Sequence, residues 1–443
     1  MKILKPCCRK TRRLSLIDGG FFAAMVGLTE QYLTPYALAM GATIPQIGLL
    51  TSVPNLLGAL SQMKAPELVE KIGSRKRTML IGFFLQGFIW LPITAIPWIT
   101  LSEYRVPIFI ILMSLFNTTG AFATPAWGSI LSDCVPERKR GDFFGLRNRW
   151  MGFVTVFSSF LAGAILHHYQ QGLIGFAMII LIAFMTRMIS WSLLTQIYAP
   201  PLVIRQEDRF SLWDFLRRLK ASNFAKFVVF VSCLTFSVNL MSPFFSVYML
   251  RDLQFNYLQY TTVNVTATIA SLLSMHYWGR HADVVGNLKI LKLSCRVIPI
   301  IPFLWLPSTT TLYLVLVQIL AGFFWAGFNL CATNFIYDAV SPEKRLRCIA
   351  YFNVLNGTAI CLGALAGGMM APHLPSLLGH HLITLMVISG LLRIAVVQLF
   401  MGKIKEVRPV QKVKNYQLFS SMIGIRPIFG VSQDEETFRI FRK

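Results

Sequence analysis

The sequence predicts an all-α membrane protein whose twelve transmembrane helices form two pseudo-symmetric six-helix bundles. Apolar residues make up 55% of the 443 residues and charged residues only 14%, and the mean hydropathy is +0.58. Such a composition is typical of an integral membrane protein. Apolar runs of about 20 residues, the length that crosses about 30 Å of hydrocarbon, recur along the whole chain. The spans should be helices, because a helix satisfies its own backbone polar groups in lipid.

The limits of these runs divide the chain into five parts. Residues 1–13 form a basic N-terminal segment, 14–197 the first bundle, 198–223 a linker, 224–402 the second bundle and 403–443 a polar tail. The third and ninth spans contain prolines, which kinked membrane helices tolerate. The predicted spans are residues 14–40, 45–64, 77–99, 106–133, 148–168, 173–197, 224–249, 257–278, 288–307, 310–338, 348–371 and 381–402.

Positive charge alternates along the chain in step with these spans. If the N-terminus is inside, 38 of the 42 Lys and Arg residues fall on the inner side. Loops retained in the cytoplasm accumulate Lys and Arg, so both termini are expected there in a multi-pass cell-membrane protein. The net charge of +23 therefore reflects topology and not nucleic-acid binding, which requires one continuous basic face. Short loops and compact length favour the bacterial inner membrane.

The two halves of the chain repeat one pattern at a spacing of roughly 208 residues. Arg187 in the sixth span corresponds to Arg393 in the twelfth, and Asp133 after the fourth span corresponds to Asp338 after the tenth. In the linker, residues 211–220 predict an amphipathic helix on the inner membrane surface. That helix is either a tether that lets the halves move or a passive connector. The first and seventh spans align through Gln31, Thr34 and Pro35 with Asn239, Ser242 and Pro243.

Three loops carry a recognisable motif. The loop after the eighth span reads Gly279-Arg-His-Ala-Asp283-Val-Val-Gly286-Asn-Leu-Lys289, and its first-half copy reads Pro66-Glu-Leu-Val-Glu70-Lys-Ile-Gly73-Ser-Arg75-Lys-Arg77. A third, Asp133-Cys-Val-Pro136-Glu-Arg-Lys-Arg140-Gly141, follows the fourth span. These loops resemble the signature of the major facilitator superfamily over residues 14–402. Pro66 and Glu70 replace the family's Gly and Asp, and Val284 and Asn287 stand where basic residues are usual.

The resemblance implies a secondary transporter that works by alternating access, with no enzymatic activity and no cofactor. It also implies a network of charges at the cytoplasmic gate, in which carboxylates and arginines latch the inner ends of the helices together. The alternative is that these charges only fix topology by snorkelling. The network comprises Glu70, Gly73, Arg75, Asp133 and Arg140 of the first half and Gly279, Asp283, Gly286, Asp338 and Arg345 of the second.

Arg187 and Arg393 lie about ten residues from the inner ends of their spans, where an isolated arginine costs a few kcal/mol. One interpretation pairs them with Asp133 and Asp338, and the other has their long side chains snorkel to the interface. Their repetition in both halves indicates a structural role.

Glu30 is the one carboxylate deep inside an apolar run, twelve residues beyond Asp18. An intramembrane ionisable group indicates function by default, so Glu30 is a candidate for proton coupling or for facing a cationic substrate. The alternative is a permanently protonated side chain bonded to a neighbouring helix.

Substrate sites of such carriers lie near the midplane between the repeats, and the resemblance implies that the first, fourth, seventh and tenth spans line the cavity. The predicted contacts are Gln31, Asn117, Asn239 and Asn329, with Tyr32, Trp325 and Phe324 as aromatic walls. Each polar side chain among them is otherwise explained by hydrogen bonding between helices. Asn55, Asn264 and Gln318 lie at comparable depth.

Two rivals to a proton-coupled carrier remain at this point: an ion-independent facilitator or exporter, and a receptor or lipid-handling scaffold that binds without transport. Enzyme and nucleotide-binding motifs are missing from the sequence, and the histidine pairs at 167–168 and 380–381 have no carboxylate neighbours in sequence. We therefore expect a monomer in the lipid bilayer, no metal, no nucleic acid and a small-molecule substrate that the sequence leaves unidentified.

Overall fold

The computed structural model describes residues 4–136, 140–169, 172–200, 222–340 and 342–407. Across these ranges the chain is helical apart from turns and one isolated β-bridge between Leu377 and His380. The amphipathic helix predicted at 211–220 and most of the tail predicted at 403–443 lie outside the described residues.

In the first half, helices follow one another with short connections. The first predicted span forms Leu4–Thr29, a 3₁₀ turn Glu30–Tyr32 and a short helix Leu33–Ala39. The second forms Ile44–Met63, and a short helix, Ala65–Ile72, follows it. The third is divided at Ile89 into Arg75–Phe88 and Trp90–Ile99. The fourth, fifth and sixth are Ser102–Cys134, Arg140–His168 and Leu173–Thr195.

The second half repeats this order. The seventh span forms Asn223–Asn239, a 3₁₀ turn Ser242–Phe244, a short helix Phe245–Val247 and a π-helical turn Tyr248–Asp252. The eighth is Tyr257–Val285, and the ninth forms Asn287–Val297 and a 3₁₀ segment Ile301–Trp305. The tenth is Thr311–Ala339. The eleventh is Pro342–Met370 with the turn Ala371–His373, and the twelfth is His381–Phe400 with the turn Met401–Lys403.

Eight helical segments within the described ranges are long and apolar enough to cross a membrane. The predicted first and ninth spans are absent from this set and are broken within their length, at Glu30 and after Val297. The second and eighth predicted spans are also absent from this set. Each forms a continuous helix, but that helix contains many polar side chains. The eight segments are Arg75–Ile99, Ser102–Cys134, Asp142–His168, Leu173–Thr195, Asn223–Asp252, Thr311–Ala339, Tyr351–His373 and His381–Lys403.

The first and seventh spans break at corresponding places. Pro35 lies in the short helix that follows the first break, and Pro243 lies within the 3₁₀ turn of the second break. The missing N–H of each proline leaves the carbonyl four residues earlier without its usual partner. The chain responds with a 3₁₀ turn in both cases, Glu30–Tyr32 and Ser242–Phe244. The break therefore follows from the repeated proline and places Glu30 at an irregular point of the first helix.

Helices of each half pack mainly against one another, and two pairs of long helices supply most of the contact between the halves. The second span packs along the eleventh, and the fifth packs along the eighth. Glycine allows the close approach, because a Cβ at Gly48 would lie 2.6 Å from the carbonyl oxygen of Ala364. Small residues at such interfaces are the usual means of bringing membrane helices together.

Replacing Gly48 with alanine should destabilise the fold. The added methyl meets backbone that cannot rotate away, so the second and eleventh helices must separate, at a cost of about 1–3 kcal/mol. Gly128→Ala is the matched control, because nothing lies within 4 Å of a Cβ at Gly128. Thermal unfolding of the detergent-purified variants measures both effects, and equal midpoints for the two variants would contradict the packing described.

Candidate functional site

A cavity of about 360 Å³ lies between the second, third and fourth spans of the first half and the eleventh span of the second half. Six of the side chains that line it are carboxamides and none is ionisable, so we call it the carboxamide cavity. Small residues such as Gly58, Gly120 and Gly357 leave the space that these amides border. The lining consists of Pro54, Asn55, Gly58, Ala59, Gln62, Gln86, Asn117, Gly120, Ala121, Asn353, Asn356, Gly357 and Ile360.

The orientation of two of these amides is fixed by their partners. Arg187 Nη2 donates to Gln86 Oε1 at 2.7 Å, and since a guanidinium has no acceptor, the Gln86 Nε2 donor points the other way, beside Gly120 of the cavity wall. Asn55 Nδ2 donates to the carbonyl oxygen of Thr51 at 2.7 Å, which leaves Asn55 Oδ1 as an acceptor. The cavity thus presents both donor and acceptor groups.

A buried polar network holds Gln86 from behind. Arg187 is 1% exposed and donates through Nη1 to Ser190 Oγ at 3.1 Å. Ser190 Oγ in turn donates to Asp18 Oδ1 at 2.5 Å. The Arg147 guanidinium lies 3.9 Å from Asp18 Oδ2. The carboxylate of Asp18 therefore supplies the counter-charge that lets two arginines lie inside the bundle.

Aromatic rings complete the surroundings of this network. The Arg187 guanidinium lies 4.3 Å from the ring centroid of Phe83 and 5.1 Å from that of Phe22, and Arg147 lies 4.6 Å from that of Trp127. The expectation that Arg187 pairs with Asp133 or snorkels is wrong. Its side chain points into the bundle, because the carboxamide of Gln86 and the hydroxyl of Ser190 are within reach there.

Arg393, the second-half counterpart, is 3% exposed and donates to the carbonyl oxygen of Val238 at 3.5 Å. It lies at the break of the seventh span, where helical carbonyls lack their regular partners. Snorkelling is excluded for this arginine too, since a snorkelling side chain would be exposed at its charged end.

Glu30 is exposed, although it lies in the interior of the first span. No hydrogen bond or ion pair joins its carboxylate to another residue in the part of the chain that the structure describes. It is not among the residues that line the carboxamide cavity. The alternative, a protonated Glu30 that is hydrogen-bonded to a neighbouring helix, is therefore not supported, because no described residue bonds to its carboxyl group.

The neighbours of Glu30 connect the two halves. Tyr32 is 1% exposed, and its hydroxyl donates to the carbonyl oxygen of Ser159 and lies 2.6 Å from Thr261 Oγ1. The Tyr260 hydroxyl donates to the carbonyl oxygen of Gln31 at 2.6 Å. Tyr32 is thus a bridge between the first, fifth and eighth spans, and its ring is not an accessible wall.

Of the other predicted substrate contacts, Asn117 alone lines the carboxamide cavity. Asn239 Nδ2 donates to the carbonyl oxygen of Thr235 at 2.9 Å, Trp325 packs edge-on against Phe328, and Asn329 is exposed. Their contact with a substrate stays a prediction.

Sequence reasoning missed Gln62, Gln86, Asn353 and Asn356 of the cavity. A periodicity signal was present for three of them. Residues 55, 58, 59 and 62 share one face of the second span, and residues 353, 356, 357 and 360 share one face of the eleventh. Each face combines amides with small residues, and each belongs to a helix at the junction of the halves.

The predicted gate residues form separate pairs within each half. Arg75 is 7% exposed and donates to Asp133 Oδ2 at 2.8 Å, to Ser129 Oγ at 2.6 Å and to the carbonyl oxygen of Pro200 at 2.8 Å. In the second half, Asn287 Nδ2 donates to Asp338 Oδ2 at 2.8 Å. Asn287 thus takes, with an uncharged side chain, the role that Arg75 has in the first half.

Other members of the predicted network shape the loops. Gly73 and Gly286 have φ angles of +70° and +90°, which glycine adopts without a steric penalty, and each ends a helix. Glu70 and Asp283 are exposed, and Gly279 lies within the eighth helix. The side chains of Arg140 and Arg345 lie outside those that the structure describes. Among the described side chains, no ion pair of this network crosses between the halves.

A second cavity, of about 520 Å³, is lined only by apolar side chains and Gly20 of the first and fifth spans. Ile17, Leu146 and Trp150 at its border are exposed, as expected of a groove that faces lipid. It offers no polar group to orient a polar solute. Within the described ranges, no cluster of His, Cys, Asp and Glu could hold a metal ion.

Comparison with protein-family models identifies one family over most of the chain. The model of the Major Facilitator Superfamily matches residues 16–364 and, in a second match, residues 226–418. A search of curated protein sequences finds no match. Two solved structures of the nucleoside transporter NupG are similar, one of them a mutant form. The mutant has a TM-score of 0.73 and 15% sequence identity, and the match covers 89% of this chain and 100% of the mutant chain. The other structure has a TM-score of 0.69 and 16% identity, and the match covers 89% of this chain and 99% of that chain.

A third similar structure is a bacterial homologue of the iron transporter ferroportin in an inward-facing state, with a TM-score of 0.64 and 13% identity over 88% of this chain and 98% of its own. At identities this low, the likeness to solved structures concerns the fold.

Replacing Asp18 with alanine should strongly destabilise the protein. The change leaves Arg187 and Arg147 buried without their counter-charge, and breaking a buried ion pair costs about 3–5 kcal/mol. Asp142→Ala is the control, because Asp142 is exposed in the first turn of the fifth span, where a carboxylate contributes about 0.3–1 kcal/mol. Chemical unfolding in detergent measures both. Similar losses in the two variants would show that the network does not stabilise the fold.

Proposed function

The chain belongs to the major facilitator superfamily, and from this premise we propose that it is a secondary transporter that moves a small solute by alternating access. Membership makes it a multi-pass membrane transporter and not an enzyme. The proposal adds the mechanism, the path of the solute and the source of energy.

We place twelve spans in two six-helix bundles, residues 14–197 and 224–402. This arrangement is supported by helices over each of the twelve predicted spans and by the two pairs of long helices that supply most of the contact between the halves. The break repeated in the first and seventh spans also supports it. The distribution of Lys and Arg supports cytoplasmic termini, and the short loops favour a bacterial inner membrane and a monomeric carrier.

The observation that carries the proposed mechanism is the position of the carboxamide cavity. Three of its helices belong to the first half and one belongs to the second. Its access therefore changes when the halves move relative to each other, as expected of substrate sites at the interface of the repeats. A receptor or scaffold that does not transport has no need for a site divided between two moving parts.

The charged loops fit a gate at the cytoplasmic side. Arg75 and Asp133 are joined within the first half and Asn287 and Asp338 within the second, so neither pair resists separation of the halves. We propose that Glu70, Asp283 and the arginines at 140 and 345 complete contacts across the halves when this side closes. Charge-assisted hydrogen bonds of this kind are strong and directional enough to latch helix ends.

Glu30 is the proposed coupling residue. Its carboxylate has no hydrogen-bond or ion-pair partner among the described residues and lies at the break of the first span. Protonation there would let the halves move without a bare charge near the midplane. An ion-independent facilitator or exporter remains the second candidate, and it requires no titration of Glu30.

Similarity to NupG and to the ferroportin homologue suggests two classes of substrate to test, nucleosides and iron ions. The lining of the carboxamide cavity contains neither histidine nor a carboxylate, and this favours nucleosides, since non-haem iron(II) is usually held by histidine and carboxylate ligands. Uptake of labelled uridine, uridine monophosphate, D-glucose, glucose 6-phosphate and Fe²⁺ into proteoliposomes tests the carrier assignment directly. If proteoliposomes take up none of these five compounds faster than protein-free liposomes do, the carrier assignment is contradicted for these compounds.

Topology is tested with single cysteines at two exposed helix ends in a variant that lacks the eight native cysteines. A membrane-impermeant maleimide should label Glu103→Cys in intact cells but Glu67→Cys only after permeabilisation, because Glu67 lies on the basic side of the spans. Both residues are exposed, so accessibility is matched. Labelling of both positions from the same side would rule out the proposed orientation.

Replacing Glu30 with glutamine should abolish gradient-driven accumulation and leave exchange intact. A gradient of about one pH unit supplies about 1.4 kcal/mol per proton, or about tenfold accumulation, and an amide cannot carry that proton. Solute counterflow without a gradient should persist, because Glu30 does not line the carboxamide cavity. Glu103→Gln, which removes an exposed carboxylate at a helix start, is the control. Accumulation by Glu30→Gln at the unmodified level would exclude the coupling role.

A further inference from the structure

We propose that the carboxamide cavity selects an uncharged, hydroxyl-rich solute such as a sugar, a polyol or a nucleoside, and that Gln86 is a specificity-determining residue for it. The inference rests on the proposed transport function, because it names the substrate class of the same site. It is drawn from the donors and acceptors that border the cavity.

The first argument is the neutrality of the lining. Six of the thirteen lining residues are Asn or Gln, and none is acidic or basic. A charged solute that left water for this site would lose its hydration without meeting an opposite charge, which is strongly unfavourable. Arg187 does not alter this, because it is 1% exposed and connected through Ser190 to the carboxylate of Asp18.

The second argument is the supply of unsatisfied hydrogen-bonding groups. Gln86 keeps its Nε2 donor for the cavity because Arg187 occupies its oxygen, and Asn55 keeps its Oδ1 acceptor because its nitrogen is bound to Thr51. Asn117 has no hydrogen bond to any described residue. A hydroxyl group both donates and accepts, so a solute with several hydroxyls can satisfy donors and acceptors at once.

The third argument is that both halves supply amides. Asn353 Nδ2 of the eleventh span donates to Gln62 Oε1 of the second span at 3.2 Å, and Asn356 of the eleventh span bonds with Thr235 of the seventh at 2.7 Å. A solute bound to Gln86 and Asn55 would also reach amides of the opposite half. The volume, about 360 Å³, falls within the range of small-molecule sites, about 300–1,000 Å³.

The direct test is Gln86→Glu. Glutamate keeps the shape of the side chain and places a carboxylate against Arg187, so the protein should fold at least as well. The cavity, however, loses its Nε2 donor and gains a negative charge. We expect affinity for a neutral probe to fall about tenfold or more, with an unchanged or higher midpoint of thermal unfolding.

Gln259→Glu is the matched control, because it makes the same substitution outside the cavity. Gln259 Oε1 accepts from the backbone N–H of Asn256 in a capping box at the start of the eighth span, a role that glutamate fills equally well. Affinity should stay within about twofold, well under the tenfold change that corresponds to about 1.4 kcal/mol.

Binding is measured with two matched pairs of probes, uridine with uridine monophosphate and D-glucose with glucose 6-phosphate, by calorimetry on the purified protein. The expected result is binding of at least one neutral member and exclusion of its phosphorylated partner. Equal or tighter binding of a phosphorylated partner, binding by none of the four, or an unchanged affinity in Gln86→Glu would each overturn the assigned class.

Flux separates this inference from the proposed function. A protein that binds a neutral probe but carries none of them across a proteoliposome membrane keeps the substrate class and loses the carrier assignment. A protein that carries uridine monophosphate or glucose 6-phosphate keeps the carrier assignment and loses the substrate class.

Discussion

Lipid offers no hydrogen-bond partner to a polar group, and the first half of this protein is organised around that constraint. Asp18, Ser190, Arg187 and Gln86 form one connected network across the first, sixth and third spans. The network ends at the cavity, where the Gln86 amide is its last member. Two buried arginines must be neutralised inside the bundle. The network that does so also determines that a solute would meet the Nε2 atom of Gln86.

Much of the architecture was predictable, because it depends on local properties of the chain. Span length and apolar composition predicted helices, and the described chain has helical segments over each of the twelve predicted spans. The partners of Arg187 could not be predicted in the same way. Helical spacing gives the face on which a residue lies, but which helix that face meets depends on the packing of the whole bundle.

The repeat in the sequence hides an asymmetry in the structure. Arg187 and Arg393 occupy matching positions, yet Arg187 is linked to a carboxylate and Arg393 to a backbone carbonyl. The residue that lies 208 positions after Asp18 is Lys226, which cannot neutralise an arginine. Asn287 likewise stands where the family motif usually has a basic residue, and it bonds Asp338 as Arg75 bonds Asp133. Within the described part of the chain, Arg187 is therefore stabilised by a carboxylate and Arg393 by a backbone carbonyl dipole.

This asymmetry bears on how the halves could move. Within the described residues, the contacts that join them include glycine-mediated packing at Gly48, hydroxyl bonds at Tyr32 and Tyr260, and the amide pair Gln62–Asn353. A neutral hydrogen bond contributes about 0.5–1.5 kcal/mol net, so exchanging such contacts for others changes the free energy little. Strong charge pairs lie inside the first half, where they keep it rigid. A solute that bonds to amides of both halves can then shift the balance between conformations, because the contacts that it replaces are weak.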